Sequence, residues 1–172
     1  MTSDLLEANP STADSRVRAA HRAASRVVLA FAACIVLETA IGLYVVNSRP
    51  VRVTPTQSPY PFYVGAVFLA LGSIAYRRAQ MRRLRLEVIA GLRGVGGLIK
   101  HLFQVTIVSA AMAEAIGVLA ILVGLFSGEQ TDVIRFGVVA LVVELFTYPR
   151  RQAWQRVVDF FAAATPGIKE GR

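Results

Sequence analysis

Residues Phe103–Phe126 read FQVTIVSAAMAEAIGVLAILVGLF, an apolar run containing one ionisable side chain, Glu114. At 1.5 Å per residue, a helix of this length covers about 36 Å, more than the ~30 Å hydrocarbon core of a bilayer. The stretch therefore predicts a transmembrane helix. Three further runs have the same character: Val27–Val46, broken by Glu38 and Thr39, then Pro61–Tyr76 and Val133–Tyr148. The last two are short, so their aromatic ends, Tyr63 and Tyr76 in one and Phe136 and Tyr148 in the other, are expected at the interfaces.

Composition points the same way. The 172-residue chain is 55% hydrophobic and 17% charged, which argues against both a disordered chain and an ordinary soluble domain. The single cysteine, Cys34, lies within the first run, so no intramolecular disulfide or Cys-based zinc site can form. The polar, Arg-containing residues 1–26 precede an apolar run about twice as long as a secretory h-region, without a convincing cleavage site, and read as part of an uncleaved signal anchor.

The net charge of +8 reads as topology, because Lys and Arg near span ends are retained on the cytoplasmic side. Four basic residues precede the first span, seven lie between the second and third, and five follow the fourth. The two opposite loops hold only Arg49 and Arg52, and Arg135 lies near the outer end of the fourth span. Both termini are thus expected in the cytoplasm of a bacterium, with the four spans in its inner membrane. The expected class is an all-α, polytopic membrane protein. Residues 1–26 form a cytoplasmic segment, and 27–148 form the membrane domain with spans 27–46, 61–76, 103–126 and 133–148. Residues 149–172 form a cytoplasmic amphipathic helix and tail.

The connections differ in kind. The outer loop Asn47–Tyr60 carries Pro50, Pro55 and Pro59 and cannot be helical, while Ser127–Asp132 is a tight acidic turn. In the inner connector 77–102, Met81, Leu84, Val88, Leu92, Val95 and Ile99 recur at helical spacing until Gly94, Gly96 and Gly97 weaken the pattern. The connector is expected to lie on the cytoplasmic leaflet or to extend a span. In the tail, Trp154, Val157, Val158 and Phe161 share a face, and Pro166-Gly167 ends the helix. Ser11 or Asp14 is a candidate cap for a helix entering the first span. Arg77, Arg78, Arg82, Arg83, Arg85, Arg150 and Arg151 are candidates for anionic lipid head groups, worth about 1 kcal/mol each near the surface. Their place beside the spans favours lipid over nucleic acid.

Glu38, Glu114 and Glu144 sit inside apolar runs, where an ionisable group costs several kcal/mol and is a functional-site candidate by default. Glu38 and Glu114 are each eleven residues into their spans, roughly 16 Å deep. Glu144 lies four residues from Tyr148, within expected reach of Arg150 or Arg151, and reads mainly as structural; it shares a face with Gly137 and Ala140, so all three glutamates are expected to face other helices. Glu38 shares a helical face with Ala30, Cys34 and Gly42. Glu114 borders a small-residue seam, Ala110, Ala113, Gly117, Ala120 and Gly124, which lets helices approach closely. No Lys, Arg or His is expected at mid-depth. Glu38 and Glu114 should then each be protonated, share a proton or bind a cation at neutral pH. The alternative is a neutral Glu acting as interhelical glue, hydrogen-bonded to Thr39, Gln104, Thr106, Ser109 or a backbone carbonyl.

The run from Ala111 to Val123, with Ala113-Glu114-Ala115-Ile116-Gly117 at its centre, resembles the second helix of the rotary ATPase c subunit, or proteolipid. The resemblance covers about twenty residues and implies that Glu114 is a proton or Na⁺ ligand. The Ala113–Gly117 string is also similar to the first helix of small multidrug transporters, whose Glu exchanges protons for cationic drugs.

No nucleophile, metal set or phosphate cradle has adequate spacing, so no enzyme, cofactor or metal site is expected. Residues Gly91–Gly97 lack a preceding strand and the Lys-Ser/Thr ending of a phosphate loop, and read as a bend entering the third span. His21 and His101 both lie near the cytoplasmic surface, without a third ligand. The leading expectation is a proton- or cation-binding bundle or homo-oligomer using Glu114 with Glu38. The other is a structural subunit of a larger membrane complex, held by its small-residue seams.

Overall fold

A computed structural model describes residues 10–48 and 58–164. They form α1 (Pro10–Asn47), α2 (Tyr60–Gln80), α3 (Arg83–Ser127), α4 (Gln130–Thr147) and α5 (Arg151–Ala164), with no strand among the described residues. Local chemistry sets several boundaries. Pro61 occupies the first turn of α2, where a missing N–H costs nothing. Gly128 ends α3 in the left-handed region, at φ 68°, and allows the chain to reverse into α4. Most of the proline-containing outer loop, residues 49–57, and the Pro166-Gly167 stop lie outside the described residues.

Two helices are long and apolar enough to cross a membrane, α1 over Asp14–Asn47 and α3. At 38 and 45 residues they reach about 57 and 68 Å, well beyond a hydrocarbon core. They run parallel, side by side. A Cβ on Gly42 would lie 3.3 Å from Ala120 O, and one on Gly124 would lie 3.3 Å from both Gly42 O and Val46 Cγ2. Helix α4 returns antiparallel, with Val133 wedged against Gly42 and Gly124 and with Thr39 of α1 laid over Gly137. Helix α2 flanks α3, where Phe62 stacks on Phe126 and Ser73 Oγ donates to Ser109 O at 3.4 Å. Ile35, Ile116, Val123, Val133, Phe136 and Val143 fill the core of this four-helix region.

Outside that core, the four helices present exposed apolar side chains, among them Leu37 and Tyr44 of α1, Phe68 and Leu71 of α2, and Leu145 and Phe146 of α4. The five seam residues, Ala110, Ala113, Gly117, Ala120 and Gly124, are buried inside the chain.

The connector 77–102 takes the second of its two expected forms and extends a candidate span: it holds no separate surface helix, the turn falls at Met81–Arg82, and α3 begins at Arg83 and runs on to Ser127. Its helix is broken only at Gly94, where φ 61° and ψ −167° permit a kink that side-chain-bearing residues rarely adopt. The expected apolar face also divides. Leu84, Val88 and Leu92 stay exposed, whereas Leu86, Ala90, Leu98 and Leu102 are buried with Val17 and Ala24 of α1 and Trp154, Val158 and Phe161 of α5. Two apolar faces occupy this one segment, and α5 covers the second. The tail helix thus packs on protein, closing a second core.

Asp14 is not a helix cap. It lies inside α1, pairs with Arg18 at 2.8 Å and Arg151 at 3.8 Å, and accepts from Gln155 at 2.8 Å, tying α5 to α1. His21 and His101 are held apart, the first against Pro149 O at 2.9 Å and the second against Gln80 O at 3.3 Å.

The glycine contacts predict a sharp contrast. Gly42→Val should lower thermal stability in detergent by about 1–3 kcal/mol, the usual cost of overpacking. Gly72→Ala, which meets nothing within 4 Å, should be neutral or raise it by up to about 1 kcal/mol, from improved helix propensity.

Candidate functional site

Three carboxylates from three helices converge in the α1–α3–α4 seam. Glu114 lies thirteen residues before the end of α3 and Glu144 fourteen after the start of α4, so each is roughly 20 Å below the turn joining those helices. Glu38 lies nine residues before the end of α1, whose Asn47 side chain accepts from Gln130 Nε2 and so is level with the start of α4. That places Glu38 about one helical turn nearer the α3–α4 turn. Gly117 makes room for it: a Cβ there would collide with Glu38 Oε2. Glu114 stands close enough to act electrostatically on both Glu38 and Glu144.

Their surroundings offer little compensation. Glu144 is 2% exposed, and neither of its carboxylate oxygens has a hydrogen-bond partner. Glu38 Oε2 is also buried without one. Of the hydroxyls expected to satisfy these acids, two are engaged elsewhere, Thr39 Oγ1 donating to Ile35 O at 2.8 Å and Thr106 Oγ1 to Leu102 O at 3.0 Å, each within its own helix, while Ser109 Oγ is buried without a partner. Gln104 points out to the exposed surface. No chain of neutral interhelical hydrogen bonds holds the acids among the described residues.

The structure changes the standing of Glu144. Sequence placed it near Arg150 and Arg151, but Arg151 pairs with Asp14. Glu144 instead turns inward beside Glu114. The reason is rotational: Glu144 falls on the inward stripe of α4 with Gly137, Ala140 and Thr147, all buried. The face proposed for Glu38 is also displaced, since Ala30 and Cys34 are exposed and the buried stripe runs through Val28, Ile35 and Gly42. Glu38 lies at its edge, half-buried.

Several arginines expected at lipid head groups have protein partners. Arg77 donates to Phe146 O at 2.8 Å, in the last turn of α4, where a cation complements the helix dipole. Burial, with Arg150 nearby, holds its pKa below the usual guanidinium value. Arg83 pairs with Glu87 at 2.8 Å and lies over the Phe160 ring. Arg78, Arg82, Arg85 and Arg150 remain exposed.

One cluster was not anticipated. At the end of the bundle near the α3–α4 turn, Tyr63 of α2 donates to Asp132 of α4 at 2.5 Å, and Arg135 reaches Asp132 at 3.4 Å and Tyr63 at 3.5 Å. Asp132 is 4% exposed, so this link is the polar clasp between α2 and α4. Below it, an apolar groove of about 280 Å³ opens between the two helices, lined by Ala66, Ala70, Phe136 and Val139. The Asp132–Arg135 pair at i, i+3 was a legible signal; its meeting with Tyr63, sixty-nine residues away, was not.

Comparison adds no relative. No family model matches the chain, and neither a curated protein nor a solved structure matches it. The site is therefore read from its own geometry. No group of three or more His, Cys, Asp or Glu is arranged to hold a metal ion among the described residues.

The Tyr63–Asp132 clasp predicts strong coupling. Tyr63→Phe should cost about 1–3 kcal/mol by leaving the Asp132 carboxylate short of a donor. With Asp132→Ala already in place, the same change should cost clearly less, as a double-mutant cycle of unfolding in detergent would show.

Proposed function

We propose that this chain is a four-span protein of the bacterial cytoplasmic membrane, with both termini in the cytoplasm, whose Glu114, Glu38 and Glu144 bind and exchange a proton. The exposed apolar side chains around α1 to α4, bounded by arginines at one end, support the membrane placement. Exposed Arg78, Arg82, Arg85 and Arg150 would then meet anionic head groups, with Leu84, Val88 and Leu92 in the adjoining leaflet.

The observation that carries the proton reading is the unpartnered Glu144 carboxylate, set beside Glu114 in a seam where no cation pairs with any of the three acids among the described residues. Three such groups cannot all carry charge in a medium of low dielectric constant, because neither solvent nor counter-charge offsets the cost. The acids therefore hold protons, and Glu114, the neighbour of both others, couples their ionisation. A proton fits better than a coordinated metal ion, since the acids do not form a metal-ligating set. The seam residues proposed as a surface for partner subunits are consumed by packing inside the chain, which leaves the structural-subunit reading without that support.

Carbodiimides react with protonated carboxylic acids, so labelling in native membranes reads the site directly. Labelling of Glu114 or Glu144, located by mass spectrometry, should fall as the pH is raised. Glu114→Gln should change the pH profile of labelling at Glu144, because it removes the neighbouring acid. Profiles that are flat with pH, or unchanged at Glu144 in Glu114→Gln, would contradict the reading.

A further inference from the structure

The two ends of the α1–α3–α4 seam are built differently. Towards the outer turn, backbone and aliphatic groups close it: Val133 packs against both Gly42 and Gly124, at 2.8 and 2.9 Å from where their Cβ atoms would lie, and Ala120 O approaches Gly42. No polar side chain enters that stretch among these contacts. Helices meeting backbone to backbone leave no room for water.

Towards the cytoplasm the same seam turns polar. Thr147 lies one turn below Glu144 and is 1% exposed, with its hydroxyl donating to Glu144 O at 2.9 Å. Thr106 lies two turns below Glu114 on the seam stripe of α3 and is 3% exposed. The pairing of Gly42 with Ala120 and of His21 with Pro149 sets Ser25 of α1 level with these hydroxyls. Ser25 is 9% exposed, and its hydroxyl has no partner. His21, half-buried one turn below Ser25, stands where the seam meets the cytoplasmic core.

We infer that the acids exchange protons with the cytoplasmic side alone, along a path of Thr147, Thr106 and Ser25 that opens beside His21, while the Gly42–Val133–Gly124 contact seals the outer side. This rests on the proton reading of the three glutamates. A hydroxyl that donates to its own helix still has lone pairs free to accept from water, and Ser25 can both donate and accept. A proton entering this way converts one carboxylate into its acid and leaves by the same route, with no net change in the hydroxyls. The charged groups around the path are Glu38 on α1, Glu114 on α3 and Glu144 on α4, with Arg77 of α2 held on Phe146 O. At its mouth stand His21, beside Trp154 of α5, and the basic run that begins at Arg150.

The test uses the full-length protein in vesicles of known orientation, with the pH on the two faces set independently and carbodiimide labelling of Glu114 and Glu144 as the readout. Labelling should follow the pH of the cytoplasmic face and ignore that of the outer face. Ser25→Ala combined with Thr147→Val should slow the response to a cytoplasmic pH step at least ten-fold and leave its end point unchanged. Labelling that follows the outer pH overturns the inferred sidedness and leaves proton binding intact. Labelling that ignores both faces removes proton binding itself, and the path with it.

Discussion

The close approach of α1, α3 and α4 is the constraint on which the rest depends. Four glycines make it: Gly42 and Gly124 admit Val133 and the facing backbone, Gly137 admits Thr39, and Gly117 admits the Glu38 carboxylate. In hydrocarbon no apolar driving force separates helix contact from lipid contact, so close packing of small residues is what holds helices together. The same seam that stabilises the bundle also takes the carboxylates out of reach of lysines and arginines. Packing and chemistry are here one arrangement.

The second core shows how the end of the bundle that carries α5 is tied to the first core. Trp154, Val158 and Phe161 of α5 close over Val17 and Leu86, and the His21–Pro149 and Asp14–Arg151 contacts join α5 to α1. Gly94 permits α3 to kink between its membrane stretch and the part that carries this core.

Much of this was legible in sequence where one residue type dictates one outcome. Apolar runs gave helices, the Ser127–Asp132 stretch marked the reversal after α3, and the Gly91–Gly97 stretch marked a bend, which falls at Gly94. The two candidate spanning helices carry Glu38 and Glu114, the acids singled out first. What escaped depended on which of two competing faces is covered. Residues 83–102 carry one apolar stripe through Leu84, Val88 and Leu92 and another through Leu86 and Ala90, and only the position of α5 decides between them. Glu144 carried two cues in sequence, a face shared with Gly137 and Ala140 and a short distance to Arg150, and the structure follows the first, into the seam. The Tyr63–Asp132 link joins segments far apart in the chain, a kind of contact that periodicity does not report.

The central claim is that protons reside on this trio of acids and that ionisation of one disfavours ionisation of its neighbour. Infrared difference spectroscopy between high and low pH, on the reconstituted protein with isotope-labelled glutamate, observes the carboxylic C=O stretch directly. The account predicts a protonated-carboxyl band that fades as pH rises, and that shifts or weakens when Glu38, Glu114 or Glu144 is individually replaced by Gln. A band that persists unchanged at every pH, or that responds to none of the three substitutions, would contradict it.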